Sequence, residues 1–441
     1  MTDDADNYAP VATECEARDL PVRGELPREL NGTLFRNGPN PQFPSGHHWF
    51  LGDGMIHAFT LRDGRAAYRN RWVRTPKFLA ERQAGRALGG ALFREGGLAN
   101  TNILAHAGRL LALEEAHAPI EIDPVSLETL GPRPLGGAGP VTAHPKIDAE
   151  NGEMWFFGYS AAGPLSAAMR FGAVDRAGAV TALGRFDAPY CSMVHDFMLT
   201  ERHAVFPIMP LAGSLARAMT GGLPFAWQPE LGGHIGVMRR DGGAGSLRWF
   251  RAETGYVFHV MNAWEEDGRL LADVMRYEEP PLFPRADGQP TDPARTRARL
   301  CRWRIDPEGG TDAFTQDVLD DLSGEFPRVD DRRAGRPYRH GWFVASREDA
   351  FDTLAHLDHV TGRRTLLELP PGDATSEPVF VPRAHDADEG DGWVLAVVWR
   401  GAERRSELLV LRADAIRDEP VATVPLPQRV PFGFHGNWEG A

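Results

Sequence analysis

The chain is poor in cysteine, in long apolar runs and in excess positive charge. Its three cysteines, Cys15, Cys191 and Cys301, are too few and too scattered for a disulfide framework or a thiolate metal site, which fits a reducing compartment. No stretch approaches the ~18 uninterrupted apolar residues of a membrane span, and the opening "MTDDADNYAP" is acidic and has no apolar core of a signal peptide. A cytoplasmic location is expected. Lys and Arg total 48 against 61 Asp and Glu, a net charge of −13, which opposes sequence-independent attraction to phosphates and sets nucleic acid aside as a partner. Helix–strand alternation is also missing, so no βαβ unit is implied.

What is present is turn chemistry. The 441 residues contain 48 Gly and 35 Pro, spread along the chain rather than gathered into a linker, and 42% hydrophobic residues can fill a sizeable core. Between the turns runs a recurring unit: an apolar strand, a turn built on Asp with Gly, Pro or Thr, and another strand. "HAFTLRDGRAAYRNRWV", "LLALEEAHAPIEIDPVSLETL", "GVMRRDGGAGSLRWF" and "LAHLDHVTGRRTLLEL" are examples. About seven such units between Ile56 and Pro427 predict an all-β fold, a seven-bladed β-propeller whose blades bury their faces only by stacking. The expected organisation is an N-terminal extension over 1–25 and a single propeller domain over 26–441. An insertion at about 207–233, the best candidate for helix, would contribute to a helical or loop cap over one face.

Four of the 15 histidines share a local grammar. His144 in "TAHPKID", His195 in "SMVHDFM", His259 in "YVFHVMN" and His435 in "FGFHGNW" each close a small or apolar run ahead of a strand. In a propeller that position is a blade's inner edge, where residues distant in sequence converge on one axis. A metal ion held by four neutral imidazoles is then a candidate, and borderline nitrogen donors suit Fe(II), Cu or Zn. Such a site needs nearby carboxylates, and Glu115, Glu325 and Glu377 lie in apolar or turn-like segments where a solvated charge is not expected. Surface turns are the alternative for all three.

The motifs "LNGTLFRNGPNPQF", "HHWFLGDGMIHAF", "AHPKID", "VHDF", "GEFPR", "SEPVFVPR" and "FHGNWE" occur in this order, and together the chain from Leu26 to Glu439 resembles the carotenoid cleavage oxygenase family. The resemblance implies a seven-bladed propeller with a helical cap and one non-haem Fe(II) per chain, held by His144, His195, His259 and His435. It also implies that Glu115, Glu325 and Glu377 each support one of the last three histidines. The implied reaction is dioxygenation: O2 as cosubstrate, no organic cofactor, and a conjugated C=C bond of an apolar alkene converted into two carbonyl groups.

Members of that family that cleave stilbenes have a tyrosine after "TPK" and a lysine before the first of the three glutamates, a pair that grips a phenolic hydroxyl. This chain resembles them less there, with Phe78 and Glu114 in those tentative substrate-pocket positions, which favours a carotenoid or apocarotenoid. Cleavage of a stilbenoid or phenylpropene to aromatic aldehydes is the alternative. The segment "LAGSLARAMTGGLPFAW" offers an apolar cap that lines a tunnel or makes peripheral contact with a membrane, with an ordinary capping helix as the bland reading. His47, His48 and His57 read as packing and turn residues, and Cys191 as a small buried hydrophobe. A propeller acting only as a binding platform and a Ca²⁺-dependent hydrolase stay open as rivals, although Ca²⁺ prefers oxygen ligands. The oligomeric state is not legible.

Overall fold

The computed structural model describes residues 6–43, 49–88, 96–137, 139–346 and 350–441; His47 and His48 lie outside them. The chain divides into two compact units, Met1–Pro134 with Arg339–Ala441, and Leu135–Tyr338.

Within the described residues of the first unit there are four antiparallel sheets. In one, Gly32–Pro39, Gly54–Arg62 and Arg65–Trp72 form a meander, edged by Glu16–Ala17 on one side and by Gly436–Gly440 on the other. The second is the meander Asn102–His106, Arg109–Leu113, Ile120–Ile122 and Thr129–Pro132. His340–Ser346, Phe351–Asp358 and Arg363–Glu368 make the third. The fourth is built on Gly392–Arg400, Arg405–Arg412 and Ala422–Pro425, with short edge pieces at Arg23–Gly24, Ala374–Thr375 and Val379–Pro382.

The second unit holds three four-stranded sheets of this kind and a two-stranded ribbon among the described residues. Lys146–Ile147, Met154–Gly158, Ala168–Val174 and Val180–Asp187 form one. Met198–Leu199, His203–Ile208, Gly233–Arg239 and Arg248–Ala252 form the next. Tyr256–Glu266, Arg269–Tyr277, Arg299–Ile305 and Thr315–Val329 form the last.

Local sequence explains these meanders. Asp63-Gly64 and Asp267-Gly268 each take positive φ at both positions (50° and 74° in either case), the geometry of the two-residue turn whose twist matches antiparallel strands. The long central strands then bury alternate or nearly all side chains against their neighbours, as in Arg65–Trp72 and Gly392–Arg400. Leu34, Phe59, Tyr68, Val379, Trp393 and Val410 pack in one core of the first unit, and Phe157, Phe197, Phe206 and Met238 in a core of the second. A fully buried side chain of this size contributes ~1.5–3 kcal/mol, so each core far outweighs any single surface ion pair.

Helix is scarce. Pro76–Ala84 starts with the Thr75 hydroxyl accepting from the Phe78 N–H, has proline in its first turn, and stops at Gly85 in the left-handed region. The 207–233 segment contains less helix than its sequence suggests. Leu211–Gly213 and Phe225–Trp227 pair as a ribbon around a single five-residue helix, Leu215–Met219, because Gly221, Gly222 and Pro224 cannot prolong it. No helix of the described residues is long and apolar enough to cross a membrane.

Candidate metal centre

In the second unit three of the singled-out histidines come together. His144 and His195 sit on irregular backbone, just before the strands Lys146–Ile147 and Met198–Leu199. The His144 N–H donates to the Thr142 hydroxyl at 3.0 Å, and the Thr142 N–H donates to the Phe157 carbonyl at 2.7 Å. His259 differs from the expected grammar, since it lies inside the eleven-residue strand Tyr256–Glu266 rather than ahead of a strand. A bulge takes the place of the strand break. The register against Arg269–Tyr277 jumps from Val257 to Val260, which frees His259 from the ladder and re-aims its side chain.

The His195 Nε2 lies 3.0 Å from the His144 Nε2 and 3.2 Å from the His259 Nε2. His259 donates its Nδ1–H to the Glu325 Oε2 at 2.5 Å, which assigns the ring proton to Nδ1 and leaves an unshared pair on Nε2. The same Oε2 accepts the Phe326 N–H at 3.0 Å. Phe326 holds a left-handed φ of 55°, a conformation that costs a bulky residue ~1–3 kcal/mol, and its ring stacks on His259 at 5.3 Å. Behind Glu325, burial and then the carboxylate's own charge push the Tyr277 phenol well above its usual range.

Three imidazole nitrogens at this spacing fit a cation. With the ring protons of His144 and His195 on Nδ1, as in His259, the unshared pairs face each other at 3.0–3.2 Å and repel unless a positive charge lies between them. For a metal–nitrogen bond of about 2.1 Å, ligands at right angles lie ~3.0 Å apart and ligands at the tetrahedral angle ~3.4 Å. The observed 3.0 and 3.2 Å fall within this range, so the donors are spaced as ligands of one metal ion would be.

The fourth histidine belongs to the first unit and repeats the carboxylate pairing. His435 is 4% exposed and directly precedes the strand Gly436–Gly440; its N–H donates to the Thr101 carbonyl, and its own carbonyl accepts the Asn37 N–H at 2.9 Å. Its Nδ1 donates to the Glu377 Oε1 at 3.0 Å, while the Glu377 Oε2 accepts the Gly436 N–H at 2.9 Å. The Trp49 and Phe434 rings stack at 5.0 Å beside it. Thus "PFGFHGNWEGA" is held by a strand pairing, a ring stack and a buried imidazole–carboxylate pair. Arg36, whose guanidinium is buried and donates to the Pro431 carbonyl, adds a positive charge within reach of Glu377. Burial lowers the Arg36 pKa to about 10 against the opposing pull of that carboxylate.

The remaining expected residues are placed as follows. Glu115 is half-buried in the turn after Arg109–Leu113. Its neighbour Glu114 pairs with the His117 Nδ1, and this bond raises the His117 pKa despite partial burial. Phe78 is core, enclosed by Val11, Met55 and Trp72. His57 is buried with its Nδ1 2.7 Å from the Tyr68 hydroxyl, and burial lowers its pKa to about 3, so it is a packing residue as the sequence suggested. Burial raises the Cys191 thiol, which lies 3.8 Å from the Ser160 hydroxyl.

Three supporting residues escaped the sequence reading. Thr142 carried a signal, a hydroxyl two residues before a histidine, and Arg36 another, a charge inside an apolar strand motif. Phe326 carried none.

Residues 8–440 match the family model described as Retinal pigment epithelial membrane protein. The chain is similar to an isoeugenol monooxygenase of Pseudomonas putida, 39% identical over 98% of this chain and 96% of that protein. It is also similar to a carotenoid cleavage oxygenase of Mycobacterium tuberculosis, 36% identical over 98% and 96%. A crystal structure of Pseudomonas brassicacearum lignostilbene dioxygenase matches with a TM-score of 0.96 at 35% identity, over 100% of this chain and 99% of that one. The all-β propeller class expected from the sequence is the class of these solved relatives. The chain belongs to the carotenoid cleavage oxygenase family.

Proposed function

We propose that this protein is a non-haem Fe(II) dioxygenase that cleaves a conjugated C=C bond of a carotenoid or apocarotenoid with O2, giving two carbonyl products. The observation that carries the proposal is the convergence of imidazole Nε2 atoms, one of them fixed as an acceptor by Glu325, in a chain of this family. His144, His195 and His259 would hold the iron, with His435 as the fourth ligand. A seven-bladed count is part of the same reading.

When bound, Fe(II) supplies the site at which O2 is activated. This ligand set has no carboxylate, unlike the two-histidine, one-carboxylate oxygenases. Four neutral imidazoles leave the ion's charge uncompensated. Glu325 and Glu377 offset it from one layer out, and Glu115 is proposed to do the same for His195. The protein's remaining work is to orient the alkene and exclude water.

The polyene reading is supported by the absence of a hydroxyl grip, since Phe78 is packed in core and Glu114 is engaged by His117. Exposed Leu215, Met219 and Leu223 at the tip of the ribbon support peripheral membrane contact of an otherwise cytoplasmic enzyme. The similarity to enzymes named isoeugenol monooxygenase and lignostilbene dioxygenase favours a second reading, cleavage of an aromatic alkene.

The test is metal analysis of freshly purified protein, then incubation with carotenoids, apocarotenals, stilbenes and phenylpropenes, with products read by mass spectrometry. One iron per chain and paired carbonyl fragments from a polyene are expected. Calcium, or no metal, would overturn the enzyme class, whereas faster cleavage of a stilbene or phenylpropene would overturn the polyene assignment.

A further inference from the structure

We infer that Asp196 is the positioning residue of the metal centre, one carboxylate that sets the spacing of three histidine-bearing segments. The inference rests on the metal reading above. Asp196 is 2% exposed, and its Oδ1 accepts the Phe197 N–H at 2.7 Å and meets the Lys146 ammonium at 2.7 Å. Its Oδ2 accepts the Val260 N–H at 2.9 Å. Lys146 lies two residues after His144, Phe197 two after His195, and Val260 one after His259.

These bonds join the ends of two sheet ladders to the irregular segment between them. Lys146 is in register with Trp155 and Val260 with Val274, whereas His144 and His195 stand on irregular backbone and His259 in a bulge, so strand pairing stops just short of each histidine. The Asp196 carboxylate ties the three segments from a single point. It pairs with one ammonium, so the tether adds little net charge near the imidazoles. Because metal affinity depends on donor spacing, loosening this point should widen the 3.0 and 3.2 Å separations before it unfolds the sheets.

An amide is the discriminating replacement. In Asp196→Asn the carbonyl oxygen can keep some contacts, but the NH2 must then face the Lys146 ammonium or the Val260 N–H, two donors that it cannot satisfy. The full chain, purified with its metal and separately loaded with Co(II), would be followed for metal release into excess chelator and for the visible Co(II) ligand-field bands, which report coordination geometry. For Asp196→Asn we expect release at least ~10-fold faster than wild type and an altered band envelope.

Asp273→Asn is the control, since Asp273 is likewise buried in the same unit and accepts from the Arg302 Nε and Nη2, each at 2.7 Å. It should lower thermal stability while leaving the release rate and bands of wild type. Lys146→Met, expected to release metal several-fold faster, carries the test if Asp196→Asn does not fold. Wild-type release and bands in the Asp196 variant, or in Lys146→Met if it stands alone, would overturn the inference, as would equal changes in Asp273→Asn. Wild type that binds neither iron nor cobalt would instead overturn the metal reading on which this rests.

Discussion

Replacing Glu325 by glutamine tests the carboxylate–histidine pair with the smallest change of shape. In the native protein the Glu325 Oε2 accepts from the His259 Nδ1 at 2.5 Å and from the Phe326 N–H at 3.0 Å, and Glu325 is only 4% exposed. An amide oxygen can keep both bonds but not the charge. A hydrogen bond to a charged group contributes ~1.5–3 kcal/mol and a neutral one ~0.5–1.5, so the substitution should cost about 1–1.5 kcal/mol. If that loss falls on the metal-bound state, it is roughly a tenfold weaker affinity, at the lower end of the ~10–100-fold usual for such outer partners. Glu325→Ala should do more, because the His259 Nδ1–H and the Phe326 N–H would then lack their acceptor. The assay is competition for metal against a coloured chelator, with circular dichroism to confirm the fold. Glu325→Gln with wild-type metal affinity and wild-type turnover would refute the reasoning and leave Glu325 a structural residue.

His259→Ala should retain only a small fraction of the iron of wild type, measured by atomic absorption on freshly purified protein; full occupancy would remove His259 from the site. A pH effect is expected away from the metal. Burial and then the neighbouring His340 lower the His356 pKa from 6.5 to about 4, so folded protein keeps this ring neutral while unfolded chain protonates it. Stability from this group is therefore full above pH ~6.5 and is lost as pH falls toward ~4, by at most roughly 3 kcal/mol. Urea midpoints at pH 7, 5.5 and 4 should fall less steeply in His356→Gln than in wild type, and parallel slopes would contradict the assignment.

The meanders were legible because their turns are spelled in the chain: Asp63-Gly64 ends one strand and starts the next, and the structure pairs Arg62 with Arg65 across it. The histidines were legible by context, and His144, His195 and His435 do lie just ahead of strands. His259 was found for a partly mistaken reason. A bulge inside a strand leaves little trace in apolar patterning, since both faces of Tyr256–Glu266 are buried. The Glu325 and Glu377 pairings were suggested by charge in an apolar setting and then by resemblance. Asp196 acts through a contact made 64 residues along the chain, which single-sequence periodicity does not encode. The helix expected within 207–233 is present but short, Leu215–Met219, because a run of good helix formers weighs less than the glycines and proline that follow it.

The strand Gly32–Pro39 has one neighbour close by in sequence, Gly54–Arg62, and another, Gly436–Gly440, that arrives ~400 residues later. Closing the longer loop costs about 3 kcal/mol more chain entropy than closing a ~20-residue one, and the pairing cannot begin until the distant partner has been synthesised. The hairpin should therefore form early and the second pairing late. The Gly436 N–H that steadies Glu377, and with it the orientation of His435, depends on that late event. On the metal reading proposed above, a growing or partly folded chain would lack an oriented His435, and full metal affinity would follow the pairing of Gly436–Gly440 with Gly32–Pro39.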